Sequence, residues 1–64
     1  MGKTECKIIL VDDHEMFRNG LKSLIEQENI GEIVGEAKNG EEFLHVLNRI
    51  TPDIVLMDID MPKL

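Results

Sequence analysis

The sequence predicts an α/β fold: a doubly wound parallel sheet built as β-α-β-α-β, with strand order 2-1-3. Three observations lead there. A nearly continuous apolar run at 6–11 suits a strand buried on both faces, and a second apolar run at 54–57 reads as another strand. Between them lie two segments of helical period, and such crossovers suit parallel strands. Turn-forming residues stand at each change of period. Right-handed crossovers restrict the arrangement, and a reversal at the second one leaves strand one between strands two and three with a helix on each face. That order makes a switch point between strands one and three, where ligands bind outside the carboxyl ends of the strands.

Each element has its own grounds. Residues 6–11 (CKIILV) are nearly continuously apolar. From 15 to 28 the period changes: Phe17, Leu21, Leu24 and Glu28, with Ile25 beside them, trace an amphipathic helix that Asn29 and Gly31 end. Residues 33–37 form a weaker second strand, apolar at Ile33, Val34 and Ala37 and interrupted by Gly35. Asn39 caps a second helix, with Glu42 placed to reach back to it. Phe43, Val46, Leu47 and Ile50 supply its apolar face, and Thr51-Pro52 stops it. The third strand, 54–57, is bounded by Asp53 and Asp58.

Composition narrows the function. The 64 residues make at most one small domain, and a chain of this size buries only about 60% of its unfolded surface. With 42% hydrophobic and 31% charged residues it is ordinary globular material rather than a disordered tail. One cysteine, Cys6, cannot form an internal disulfide, which suits a reducing cytoplasm and excludes a disulfide-stapled scaffold. The longest apolar runs are four residues, too short for a membrane span or a signal-peptide core. Met1-Gly2 opens like a myristoylation signal, but Cys6 stands where Ser or Thr is wanted. A net charge of −6 argues against this segment gripping DNA or anionic lipid by itself.

The order of elements brings three acids together. Asp12 and Asp13 follow strand one and Asp58 follows strand three, all at the switch point. Crowded carboxylates repel, and a divalent cation removes that cost. Oxygen ligands with few protein donors suit magnesium, which keeps several waters and bridges to phosphate. A carboxylate beside such an ion is a plausible nucleophile toward phosphorus, giving an aspartyl phosphate. The plainer alternative is that Asp12 and Asp13 cap helix one and Asp58 is a loop residue. Either strand end alone favours that alternative, whereas the two together favour a metal site.

Val11-Asp12-Asp13-His14 after an apolar strand, followed by Phe17-Arg18-Asn19-Gly20-Leu21, resembles the start of a response-regulator receiver domain of two-component systems. Ile54-Val55-Leu56-Met57-Asp58-Ile59-Asp60-Met61-Pro62 looks like that family's phosphoacceptor strand and the loop after it, and Ala37-Lys38-Asn39-Gly40-Glu41-Glu42 fits between. The Asp-Asp-His and Phe-Arg-x-Gly-Leu flavour is similar to receivers of LuxR/NarL-type transcriptional regulators. The resemblance covers residues 6–64 and implies a flavodoxin-like fold. It implies that Asp58 accepts a phosphoryl group from a sensor histidine kinase, in a non-enzymatic cytoplasmic module controlling a transcriptional output. Asp13 would ligate Mg2+ directly, Asp12 mainly through a water, and Asp60 through its backbone carbonyl, with Pro62 shaping the loop.

The resemblance also implies that residues 1–64 are the N-terminal part of a receiver. The fourth and fifth strands, with their hydroxyl, aromatic and lysine residues, have no counterpart here. Lys63 follows Asp58 too closely to replace that lysine, and Lys38 belongs to the second strand. On that expectation strand three is an unprotected apolar edge, through which the chain would form a homo-oligomer. DNA would be reached only through an output domain outside these residues.

Other residues are assigned plainer roles. His14 sits next to the acids and can be read as a metal ligand or proton shuttle, but the preferred reading is a polar residue at the start of helix one, to which the resemblance gives no chemistry; His45 is at the surface. Met16, Met57 and Met61 are packing residues, and Cys6 is a small hydrophobe. Glu26, Glu28, Glu32 and Glu36 are solvated charge. Two competing functions stand beside the receiver. Asp58-Ile59-Asp60 resembles the D-x-D signature of haloacid-dehalogenase-like Mg2+ phosphatases, with Asp60 as acid/base; that leaves Asp12 and Asp13 unexplained. A non-phosphorylated interaction fragment is the other.

Overall fold

The computed structural model describes residues 6–58. Its elements are β1 (Lys7–Val11), α1 (Glu15–Gln27), β2 (Glu32–Ala37), α2 (Gly40–Leu47) and β3 (Ile54–Met57). The sheet runs β2-β1-β3, and β1 pairs parallel with both neighbours. The central position of β1 follows from its apolar run: Ile8, Ile9, Leu10 and Val11 are all buried.

Strand alternation divides the core in two. Ile9 and Val11, with Ala37, face α2 and its Phe43, Val46 and the following Ile50. Ile8 and Leu10 face α1 through Ile25 and Leu21. The helices therefore lie on opposite faces. Leu21 and Ile25, four residues apart, carry the apolar contact of α1, and Arg18 and Lys22 fill the rest of its sheet side.

The real stripe of α1 is therefore 18/21/22/25, rotated from the Phe17/Leu21/Leu24/Glu28 stripe of the sequence. The cations take the sheet side because their long stems cover apolar surface while their heads find an acid on β2. Phe17 and Leu24 stay 58% and 50% exposed, and Met16, expected to pack, points to solvent at 88%. Met57 does pack, against the α2-side cluster, whereas Met61 lies outside the described residues.

Helix ends obey local chemistry. Asn29 has φ 59, and the Asn29 and Ile30 N–H groups return to the carbonyls of Glu26 and Ile25. That is a Schellman closure built on a left-handed asparagine. At α2 the Asn39 side chain accepts the Glu42 N–H at 2.8 Å. Glu42 reaches back one residue further than expected, to the Lys38 N–H at 2.9 Å. The helix ends at Leu47, short of the expected Ile50, because Asn48 and Arg49 bond to carbonyls three residues back. Ile50 still reaches the core from that tightened turn.

Gly35 marks an irregularity that aims a charge. The β1–β2 register jumps from Ile8↔Ile33 to Ile9↔Gly35, leaving Val34 as an extra residue. The bulge reverses the parity of the strand after it, so Glu36 pairs with Leu10 on the α1 side rather than entering the apolar α2 side. Gly35 also admits α2 at close range: a Cβ there would stand 2.8 Å from Val46 Cγ1.

Candidate metal centre

Two strand tips are stitched side by side. Past β1, the Asp12 N–H donates to the Ala37 carbonyl at 3.0 Å, and past β3 the Asp58 N–H donates to the Val11 carbonyl at 3.0 Å. These bonds continue the parallel ladders by one residue and fix where both side chains emerge. Asp12 is buried at 4% exposure, Asp13 is exposed and Asp58 is half-buried. One ligand atom each from Asp12, Asp13, His14 and Asp58 lies within 4.8 Å of the others. The structure thus brings Asp12, Asp13 and Asp58 together; Asp60 and Pro62 lie outside the described residues.

The helix-capping alternative for Asp12 is partly realised. Its Oδ1 accepts the His14 N–H at 2.8 Å, but the N-cap of α1 is His14, whose own side chain makes no capping bond. The His14 imidazole instead turns into the acids. Nδ1 stands 3.2 Å from Asp12 Oδ1, 3.0 Å from Asp13 Oδ1 and 4.0 Å from Asp58 Oδ2. Sequence reasoning placed His14 correctly at the helix start and raised a part for it in the pocket, but preferred the plain polar reading. Its adjacency to two aspartates was the available signal.

A second residue set supports the site from below. Arg18 Nη1 donates to the Asp12 carbonyl at 2.6 Å, and its Nε donates to Glu36 Oε1 at 2.9 Å. Lys22 Nζ donates to Glu36 Oε2 at 2.7 Å. The Lys22 hydrogen bond, joined by that of Arg18, holds the Glu36 carboxyl below its ordinary range despite partial burial, which acts the other way. Glu36 is therefore an ion-paired acid and not the solvated charge expected, because the β2 bulge aims it at α1. His45 is exposed, and Cys6 packs beside the α1-side cluster. Beside the acids, Phe17, Leu21 and Leu56 line an open apolar groove between α1 and β3.

A family model described as the response regulator receiver domain matches residues 8–64, the stretch that carries the buried acid and its neighbours at adjoining tips of the parallel sheet. The chain belongs to the response regulator receiver domain family. The receiver is 45% identical over 58 residues to the transcriptional regulatory protein YdfI of Bacillus subtilis (strain 168), covering 91% of this chain and 27% of the relative. It is 44% identical over 55 residues to the nitrate/nitrite response regulator protein NarL of Escherichia coli (strain K12), covering 86% and 26%.

It is also 41% identical over 56 residues to a protein-glutamate methylesterase/protein-glutamine glutaminase of Pseudoalteromonas atlantica, covering 88% and 15%. The chain thus spans about a quarter or less of the curated relatives it matches. No solved structure matches it. Receiver domains of transcriptional regulators are typically non-enzymatic, although the methylesterase relative carries an enzyme's name. Receiver domains bind Mg2+ at an acidic pocket, and response regulators take phosphoryl groups from sensor histidine kinases. The family match favours this function over the phosphatase and interaction-fragment readings. Among the described residues no helix is long and apolar enough to cross a membrane.

Proposed function

We propose that Asp58 of this receiver accepts a phosphoryl group from a sensor histidine kinase, and that the change controls a transcriptional output. The observation that carries the reading is the convergence of Asp12, Asp13 and Asp58 at two adjoining strand tips. The donor set fits a hard divalent cation: carboxylate oxygens, one of them on a buried residue, with room for water on the exposed Asp13 side. Asp13 would hold Mg2+ directly, Asp12 mainly through a water, Asp58 through a carboxylate oxygen and Asp60 through its carbonyl. Bound there, the ion would supply positive charge to the transferring phosphoryl oxygens.

The chain's own part is positioning. A carboxylate oxygen of Asp58 would attack phosphorus in line with the departing kinase imidazole, forming an acyl phosphate. The backbone bond from Asp58 to Val11 fixes the nucleophile's origin, and the Arg18 bond to the Asp12 carbonyl holds the facing strand tip. The same reading takes the receiver as a non-enzymatic cytoplasmic module, with residues 1–64 the N-terminal part of the domain. DNA contact would fall to an output domain outside these residues, since the net charge of −6 repels phosphate. The apolar β3, 43% exposed at Ile54 and 40% at Leu56, would serve self-association.

Incubation with Mg2+ and acetyl phosphate, followed by mass measurement, tests the reading. A gain of one phosphoryl group, lost in Asp58→Asn, supports it; an unmodified chain refutes it in favour of an interaction fragment. Asp60→Asn separates the phosphatase alternative, which would lose its acid/base, from a receiver that keeps its metal through the carbonyl.

A further inference from the structure

We propose that His14 Nδ1 is an additional metal ligand of the acidic pocket, and that it turns the site's preference from magnesium toward divalent cations that accept nitrogen. The inference rests on the metal-holding reading of Asp12, Asp13 and Asp58. Two distances carry it. Around an octahedral ion with bonds of about 2.1 Å, neighbouring ligand atoms stand about 3.0 Å apart and opposite ones about 4.2 Å. His14 Nδ1 is 3.0 Å from Asp13 Oδ1, the separation of neighbouring vertices. It is 4.0 Å from Asp58 Oδ2, close to the separation of opposite vertices. The imidazole nitrogen thus stands where a ligand atom of the same ion would stand.

The side chain makes no capping bond on α1, and the other use open to it is a hydrogen bond from Nδ1 to Asp12 Oδ1 at 3.2 Å. Were an ion bound and the ring proton on Nε2 instead, Nδ1 would present a lone pair to that ion, and Nε2 would face solvent because the side chain is 71% exposed. Imidazole changes the metal chemistry. Carboxylate, carbonyl and water donors suit magnesium, whereas a nitrogen donor suits nickel, iron, copper and zinc, whose affinities also follow the Irving–Williams order. A receiver with this histidine therefore holds a transition metal more tightly than its carboxylates alone would, and such an ion competes with magnesium for the pocket.

The experiment is titration of the untagged chain with Mg2+ and separately with Ni2+ under the same buffer conditions, following binding by calorimetry. The variants are His14→Ala and His14→Gln, both at an exposed side chain. Each is expected to weaken Ni2+ binding by at least roughly tenfold, the lower end of what even an outer-shell partner of a metal contributes. Mg2+ binding should change by less than about twofold, and Asp13→Asn should weaken both ions. Equal loss of both ions in the His14 variants, or no loss of either, overturns the histidine ligand while leaving the acidic site standing. Failure of the wild-type chain to bind either ion overturns the inference together with the reading on which it rests.

Discussion

Arg18 and Asp12 are joined by a 2.6 Å hydrogen bond from the guanidinium Nη1 to the main-chain carbonyl, while the same guanidinium grips Glu36 of β2. One side chain on α1 thereby ties the tip of the central strand to its neighbour, directly beneath the acidic pocket. Its planar fork can hold a carbonyl and a carboxylate at once, which the single ammonium of a lysine does less well.

Removal of that tie should be costly. Arg18→Ala leaves the Asp12 carbonyl and Glu36 short of a donor, and about 1–3 kcal/mol of stability should be lost, measured by urea unfolding. Arg18→Lys should recover part of it through Glu36. An unchanged unfolding midpoint in the alanine variant would show that the fork adds nothing.

Acid should expose the same network. The Glu36 carboxyl is held below its ordinary 4.5 by Lys22 and Arg18, so its ionised form is favoured by folding. The stabilisation is present in full above 4.5 and is lost as pH falls from there through the lower folded value. Stability of the wild-type chain should thus drop below that pH more steeply than that of Glu36→Gln. Parallel acid titrations of the two chains would contradict the assignment.

Gly35→Ala should overpack the β2–α2 contact, since its Cβ would sit 2.8 Å from Val46 Cγ1. The expected cost is about 1–3 kcal/mol. Val46→Ala in the same chain should return part of it, and a thermal-melt double-mutant cycle reads the coupling. Additive effects would mean that α2 shifts freely.

Self-association should depend on β3. Sedimentation at micromolar concentration is expected to show species heavier than a monomer, reduced in Leu56→Lys, because a charge on an exposed apolar edge disfavours strand pairing. A wild-type chain that sediments as a monodisperse monomer would count against the edge as an interface.

Much of this molecule was legible before any coordinates. The apolar run of β1 suited burial on both faces, and right-handed crossovers with a reversal at the second one gave the order 2-1-3 that the sheet adopts. That order in turn put Asp12, Asp13 and Asp58 at neighbouring tips, because a parallel sheet gathers the carboxyl ends of its strands at one edge. Asn39 as a cap and Asn29 as a stop were local choices that the chain makes from a few adjacent residues.

Tertiary structure decided the rest. Periodicity ranks residues by polarity, so it assigned Phe17 and Leu24 to the core side of α1, where Arg18 and Lys22 lie instead. Only the bulge at Val34, which turns Glu36 toward α1, supplies the acid that makes two cations welcome there. A one-residue change of register reverses every side chain beyond it, and Gly35 inside the strand hints at a break without fixing which residue is extra. His14 is a similar case: its letter says helix start, but its imidazole stands among two carboxylates of its own loop and one just past β3, 44 residues further along the chain.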